Sequence, residues 1–129
     1  MLAIDTNILV RYLTGDHPKQ SAKARTLVDG HEVYVGGTVM LETEWVLRGV
    51  YGFTPAQVCR ALRAFAGLAQ VSIETPARIA QALDRAERGM DFADALHLGG
   101  AEDCEAFVTF DRKLVKAAQS AGIDTVREP

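Results

Sequence analysis

The sequence predicts an α/β fold: a central parallel sheet of about four to five short strands, flanked by helices on both faces. Three observations predict it. Short apolar runs recur, such as Leu2-Ala3-Ile4 and Val71-Ser72-Ile73, and short continuous apolar runs are how buried parallel strands read. The stretches between them are long and carry apolar residues at helical spacing, as the crossovers of a parallel sheet require. Proline, glycine and small polar residues stand where such helices would begin and end.

The elements follow in order. Leu2-Ala3-Ile4 is the first strand, expected at the sheet centre. Asp5-Thr6-Asn7 offers cap and turn chemistry, and Ile8 to Leu13 reads as a short helix ended near Gly15. Pro18 suits the first turn of a second helix, residues 18–29, stopped by Gly30. Glu32 to Val35 alternates weakly and is the next strand. Thr38 caps a third helix, with Val39, Leu41, Trp45, Val46 and Val50 as its apolar face. Thr54-Pro55 opens a fourth helix to about Leu68, with Val58, Leu62 and Phe65 inward. Val71-Ser72-Ile73 is a strand. Thr75-Pro76 opens a fifth helix, with Ile79, Ala82, Leu83 and Ala86 inward, stopped at Gly89. Asp91 to Ala101 is a sixth helix, Ala106 to Thr109 a strand, Asp111 to Ser120 a seventh helix, and Ile123 to Val126 a last strand.

A chain of 129 residues is the size of one domain. At 48% hydrophobic and 24% charged it has the balance of an ordinary globule, which argues against disorder. No apolar run approaches the roughly 20 residues of a membrane-spanning helix. Met1-Leu2-Ala3-Ile4 has no basic flank and meets Asp5, so no signal peptide is expected and the compartment is read as the cytoplasm. Cys59 and Cys104 form no CxxC pair and share no ligand spacing with His17, His31 or His97. Two free core thiols are expected, and no zinc site.

Two acids stand directly after apolar strands: Asp5, and Asp111 after Phe107-Val108-Thr109-Phe110. Ligands of an open parallel sheet bind beyond the carboxyl ends of its strands. Glu42 and Asp94 are expected in the first turns of helices that begin at that same edge. Carboxylates gathered there repel, and a cation relieves the repulsion. Hard oxygen ligands suit Mg²⁺ or Mn²⁺, which can activate water for in-line displacement at phosphorus. The competing account is capping. Acids are favoured near helix starts by the dipole, and Asp91-x-x-Asp94 reads as a capping box with Asp91 as the cap.

Four motifs in order resemble one family. Met1 to Asn7 resembles its opening strand with Asp-Thr-Asn. Thr38 to Glu44 resembles the segment that supplies its Glu. Asp91-Phe92-Ala93-Asp94-Ala95 resembles its Asp-Phe-x-Asp-Ala signature, and Thr109-Phe110-Asp111 its closing Thr-x-Asp. The family is the PIN-domain ribonucleases of the VapC toxin type, and the similarity covers nearly all of the chain, residues 1–129 as one domain. The resemblance implies a Mg²⁺- or Mn²⁺-dependent endoribonuclease, the toxin of a toxin–antitoxin pair. It implies an RNA substrate, a cognate VapB-like antitoxin and a homodimer. Its metal-binding acids fall on Asp5, Glu42, Asp94 and Asp111, with Asp5 and Asp94 foremost and Asp91 either a fifth acid or only a cap.

Thr6 and Asn7 can hold Asp5 or a bound water, and Thr109 can do the same beside Asp111. Setting aside the four motif acids leaves 13 acidic against 14 basic residues, so the rest of the surface is near +1 rather than at the whole chain's −3. Arg11, Arg48, Arg112 and Lys113 lie close to the motif acids in sequence and are candidates for phosphate contacts. His97 is read as a packed or surface histidine. The apolar surplus of the third and fourth helices points to association with a second copy as well as to the core. Other chemistries fit less well. An aspartyl phosphatase wants a second acid where Asn7 stands, and a phospho-receiver wants a late strand-end lysine where Thr109 stands. The remaining alternative is a PIN-like scaffold that binds RNA or a partner without cleaving.

Overall fold

Five strands and seven helices alternate along the chain in the computed structural model, which describes residues 1–129. They are β1 (Leu2–Ala3), α1 (Thr6–Thr14), α2 (Pro18–Gly30), β2 (Val33–Val35), α3 (Gly37–Gly49), α4 (Pro55–Ala66) and β3 (Val71–Ile73). There follow α5 (Pro76–Glu87), α6 (Phe92–Gly100), β4 (Phe107–Val108), α7 (Arg112–Ser120) and β5 (Val126–Arg127). The fold class read from the sequence holds. All strand pairs are parallel, but the five strands form two sheets rather than one. The chain packs as two units, Met1–Pro76 and Ala77–Pro129.

In the first unit the sheet order is β1-β2-β3, with Leu2 opposite Val33 and Val33 opposite Val71. β2 is therefore central, and Val33 and Val35 are fully buried. β1, expected at the centre, is an edge strand, and of its short run only Ile4 reaches the core. Parallel strands need crossovers; α1 and α2 supply the first, α3 and α4 the second. α1 starts where Asp5 accepts the Thr6 N–H at 2.7 Å, and ends where Gly15 turns left-handed at φ 65°, a region costly for other residues. α4 starts on a reciprocal capping box of Thr54 and Gln57, and it buries Val58, Leu62 and Phe65 as expected.

α3 departs from the sequence reading twice. Its core face is Met40, Thr43, Glu44 and Leu47, while Trp45 and Val50 of the expected apolar face are 60% and 68% exposed. The buried set keeps a three–four spacing that the neighbouring valines mask. Nor does Thr38 cap the helix: the cap position is Gly36, which has no side chain to give. The Gly37 N–H instead donates to Glu74 Oε1 at 2.9 Å, from just beyond the end of β3.

In the second unit β4 pairs with β5, Phe107 opposite Val126. Ile79, Ala82, Leu83 and Ala86 are buried along α5, as their spacing predicts, together with Met90, Phe92, Ala95, Leu98, Leu114 and Ala118. Cys59 is buried, but Cys104 is exposed, so only one of the two thiols belongs to the core.

Candidate active site

In the first unit the strand end delivers Asp5 and the helix delivers Glu42. Asp5 is exposed, held at its backbone neighbour by the Thr6 N–H. Glu42 lies a full turn inside α3, whose first turn holds no acid. The helix dipole acts mainly at the first turn, so it does not account for this carboxylate. The Thr6 hydroxyl donates to Glu42 Oε1. Thr6 is itself buried. One residue thus ties both acids, where the sequence suggested only support for Asp5.

Two cavities share Asp5 and Glu42 in their walls. The smaller, about 360 Å³, adds Thr6, Asn7, Arg11 and Tyr51. The larger, about 680 Å³, adds Thr38, Val39, Leu41 and Trp45. Arg11 is fixed from three sides. Its Nε donates to Gln20 Oε1 at 2.8 Å, and its terminal nitrogen donates to Asp16 and to the Tyr51 oxygen, each at 3.1 Å. The Tyr51 hydroxyl donates to Asp16 at 2.6 Å and Thr14 to the same carboxylate at 2.8 Å. These hydrogen bonds, Tyr51 first and Thr14 second, with the charge of Arg11, hold the Asp16 carboxyl below the usual carboxylate value.

In the second unit Asp91 caps α6 and accepts the Asp94 N–H at 3.1 Å. Asp94 stands in the first turn, as expected, and is half-buried. Its carboxyl is raised, first by burial and then by the charges of Asp91 and Asp111, with His97 acting against them. Asp111 caps α7, accepting from the N–H groups of Lys113 and Leu114 at 3.0 and 3.2 Å. The Thr109 hydroxyl accepts the Asp111 N–H at 3.0 Å, so it fixes the backbone of Asp111 and not its carboxylate.

The four candidate cations separate. Only Arg11 of the four is found in a cavity wall beside Asp5 and Glu42. Arg48 Nε donates to buried Glu44 at 2.9 Å, and Arg112 Nε to Glu128 at 3.3 Å. Lys113 is exposed at the start of α7. Sequence reasoning missed Tyr51, Asp16 and Gln20, which carry no local signal. It also missed Glu74, although Glu74 follows Ile73 at a strand end as Asp5 follows Ile4.

No three His, Cys, Asp or Glu side chains stand together as a metal cage. Mg²⁺ does not need one, because it is commonly held by one or two carboxylates and keeps several waters. Two hard carboxylates at a shared cavity wall, those of Asp5 and Glu42, are donors of that kind. A comparison with curated proteins finds no match. The PIN domain family matches residues 2–120, a stretch that contains all four motif acids. PIN domains are generally nucleases and usually use divalent metal ions. With nearly the whole chain matched, and with acids on both the strand-end and helix positions of the α/β frame, this protein belongs to the PIN domain family.

Proposed function

We propose that the chain is a Mg²⁺- or Mn²⁺-dependent endoribonuclease of the VapC type, acting as the toxin of a VapBC-like toxin–antitoxin pair. The observation that carries the reading is Asp5 and Glu42, joined through Thr6 in the shared wall of two cavities. Capping explains Asp5 but not Glu42. The order of the four acid motifs supports the VapC type. In this reading residues 1–129 are one PIN domain, the RNA is cut in the cytoplasm, and the active protein is a homodimer that a VapB-like antitoxin restrains.

The acids we assign to the ion are Asp5 and Asp94 foremost, with Glu42 and Asp111 as further candidates. When bound, the ion supplies a Lewis acid that lowers the pKa of water and offsets charge developing at phosphorus. The chain does the rest. The Thr6 N–H orients Asp5 and its hydroxyl orients Glu42. Thr109 fixes the turn that presents Asp111, while Asp91 sets the start of α6 and so the place of Asp94. Arg11, already locked by Gln20, Asp16 and Tyr51, offers a guanidinium to a phosphate with little further ordering to be lost.

The test is RNA cleavage by wild type, Asp5→Asn and Asp94→Asn, with Mg²⁺ and with EDTA. The amide of Asp5→Asn still accepts the Thr6 N–H, so the helix cap stays while the charge goes. Wild type should cleave with Mg²⁺ and stop in EDTA, and each variant should lose at least about a hundredfold in rate. RNA binding without cleavage by wild type would make the protein a scaffold instead.

A further inference from the structure

We infer that Trp45 is a stacking platform for one unpaired base of the RNA, a nucleobase subsite in the larger cavity beside Asp5 and Glu42. The inference rests on the endoribonuclease reading above and adds to it the part of the substrate that this cavity takes. Trp45 is three residues after Glu42 on α3, and residues at that spacing share a helix face. The opposite face, with Met40, Thr43 and Leu47, is the one the core uses. The indole is 60% exposed, and the rings that pack on one another are Tyr12 with Phe65 and Tyr51 with Phe53, leaving Trp45 without an aromatic neighbour. It lines the 680 Å³ cavity together with the apolar Val39 and Leu41 and the acids Asp5 and Glu42.

That mixed lining selects the occupant. An apolar protein surface broad enough to cover Trp45 would also take Asp5 and Glu42 out of water, and a buried unpaired carboxylate is costly. A single planar base covers the indole alone and leaves both carboxylates wet. The smaller cavity, sharing the same two acids, holds the fixed guanidinium of Arg11. A strand running from one cavity to the other would set a phosphate near Arg11 and a base on Trp45, with the acids between. Aromatic platforms beside cationic grooves are the general means of holding single strands.

Trp45 is the only tryptophan of the chain, so its fluorescence reports on this subsite directly. The experiment titrates protein carrying Asp94→Asn, which stops cleavage and leaves Trp45 and its cavity intact, with oligoadenylate, with oligouridylate, and with the duplex of the two. Both single strands should quench the emission saturably and the duplex should not. Trp45→Leu, read by a labelled strand, should bind at least about fivefold more weakly, and Trp45→Phe within about twofold of the parent. Unquenched emission with the single strands, or equal binding by Trp45→Leu, overturns the subsite. So does a fall from dimer to monomer in Trp45→Leu with RNA affinity unchanged, since the face would then belong to a second copy. Cleavage by wild type is measured separately. If it is present without quenching, only the subsite fails. Quenching without cleavage keeps the subsite and removes the nuclease.

Discussion

Asp5, Asp91 and Asp111 each close a helix N-terminus and each belong to an acid motif, so at the scale of the residue an alanine would remove a cap and a charge together. Asparagine separates them. Asp94 is the informative case because it caps nothing. Its raised carboxyl costs the fold nothing below the unfolded value of about 3.9. The cost grows as pH climbs past that value and is constant once the folded carboxyl is ionised. In EDTA at pH 7, Asp94→Asn should therefore melt at the wild-type temperature or above it, and the gap should close toward pH 3; a simple loss of stability at both would mean that the carboxylate serves packing. Asp16 shifts the other way. Its hydrogen bonds add stability that is present above the unfolded value and lost as pH falls through the lower folded one. An NMR titration should find the Asp16 midpoint below that of an unfolded peptide, and Tyr51→Phe should raise it, because the Tyr51 hydrogen bond is the largest cause.

At the scale of the element, the sequence told helices apart from strands well and told faces apart unevenly. α5 showed its buried face in Ile79, Ala82, Leu83 and Ala86, because few other apolar residues compete with them. α3 did not, because Val39, Leu41, Trp45 and Val46 stand beside and between Met40 and Leu47. Hydrophobicity cannot choose between two apolar stripes; contact with α1 and α4 does. A pair of substitutions checks the outcome. Leu47→Ala should cost about 2–5 kcal/mol in denaturant unfolding, while Trp45→Ala, on the exposed side, should stay within about 0.5 kcal/mol of wild type. The reverse order would restore the face read from sequence. Strand pairing was less legible still. Two- and three-residue strands reveal that they exist, but no local pattern says which neighbour they take, so the division into two parallel sheets was invisible.

At the scale of the whole molecule, metal and assembly test the proposed function. An ion that binds only the folded protein stabilises it by about 1.4 kcal/mol at ten times its Kd, a melting shift of several degrees for a domain of this length. Millimolar Mg²⁺ should produce that shift in wild type and a smaller one in Asp94→Asn; an unmoved wild-type melt would leave the acids as caps. Light scattering should give the mass of a dimer at micromolar concentration, and Trp45→Leu should leave that mass unchanged. The acid motifs were the most legible part of the site, since strand ends and helix starts are written locally. Their support was not. Thr6 reaching Glu42, and Tyr51 reaching Asp16 and Arg11, span 36, 35 and 40 residues and exist only once the helices pack.

The Glu74 carboxylate that starts α3 has a consequence for how the sequence can vary. A side-chain carbon at Gly37 would meet Glu74 Oε1 at 2.9 Å, with no other atom as near. The two positions are therefore epistatic. A residue larger than glycine at 37 makes the flexible end of the exposed Glu74 side chain swing aside, which ends the hydrogen bond it accepts from the residue 37 N–H. Neither change alone describes the pair. Across diverging PIN sequences, glycine at 37 should accompany glutamate at 74 more often than it accompanies a shorter residue there.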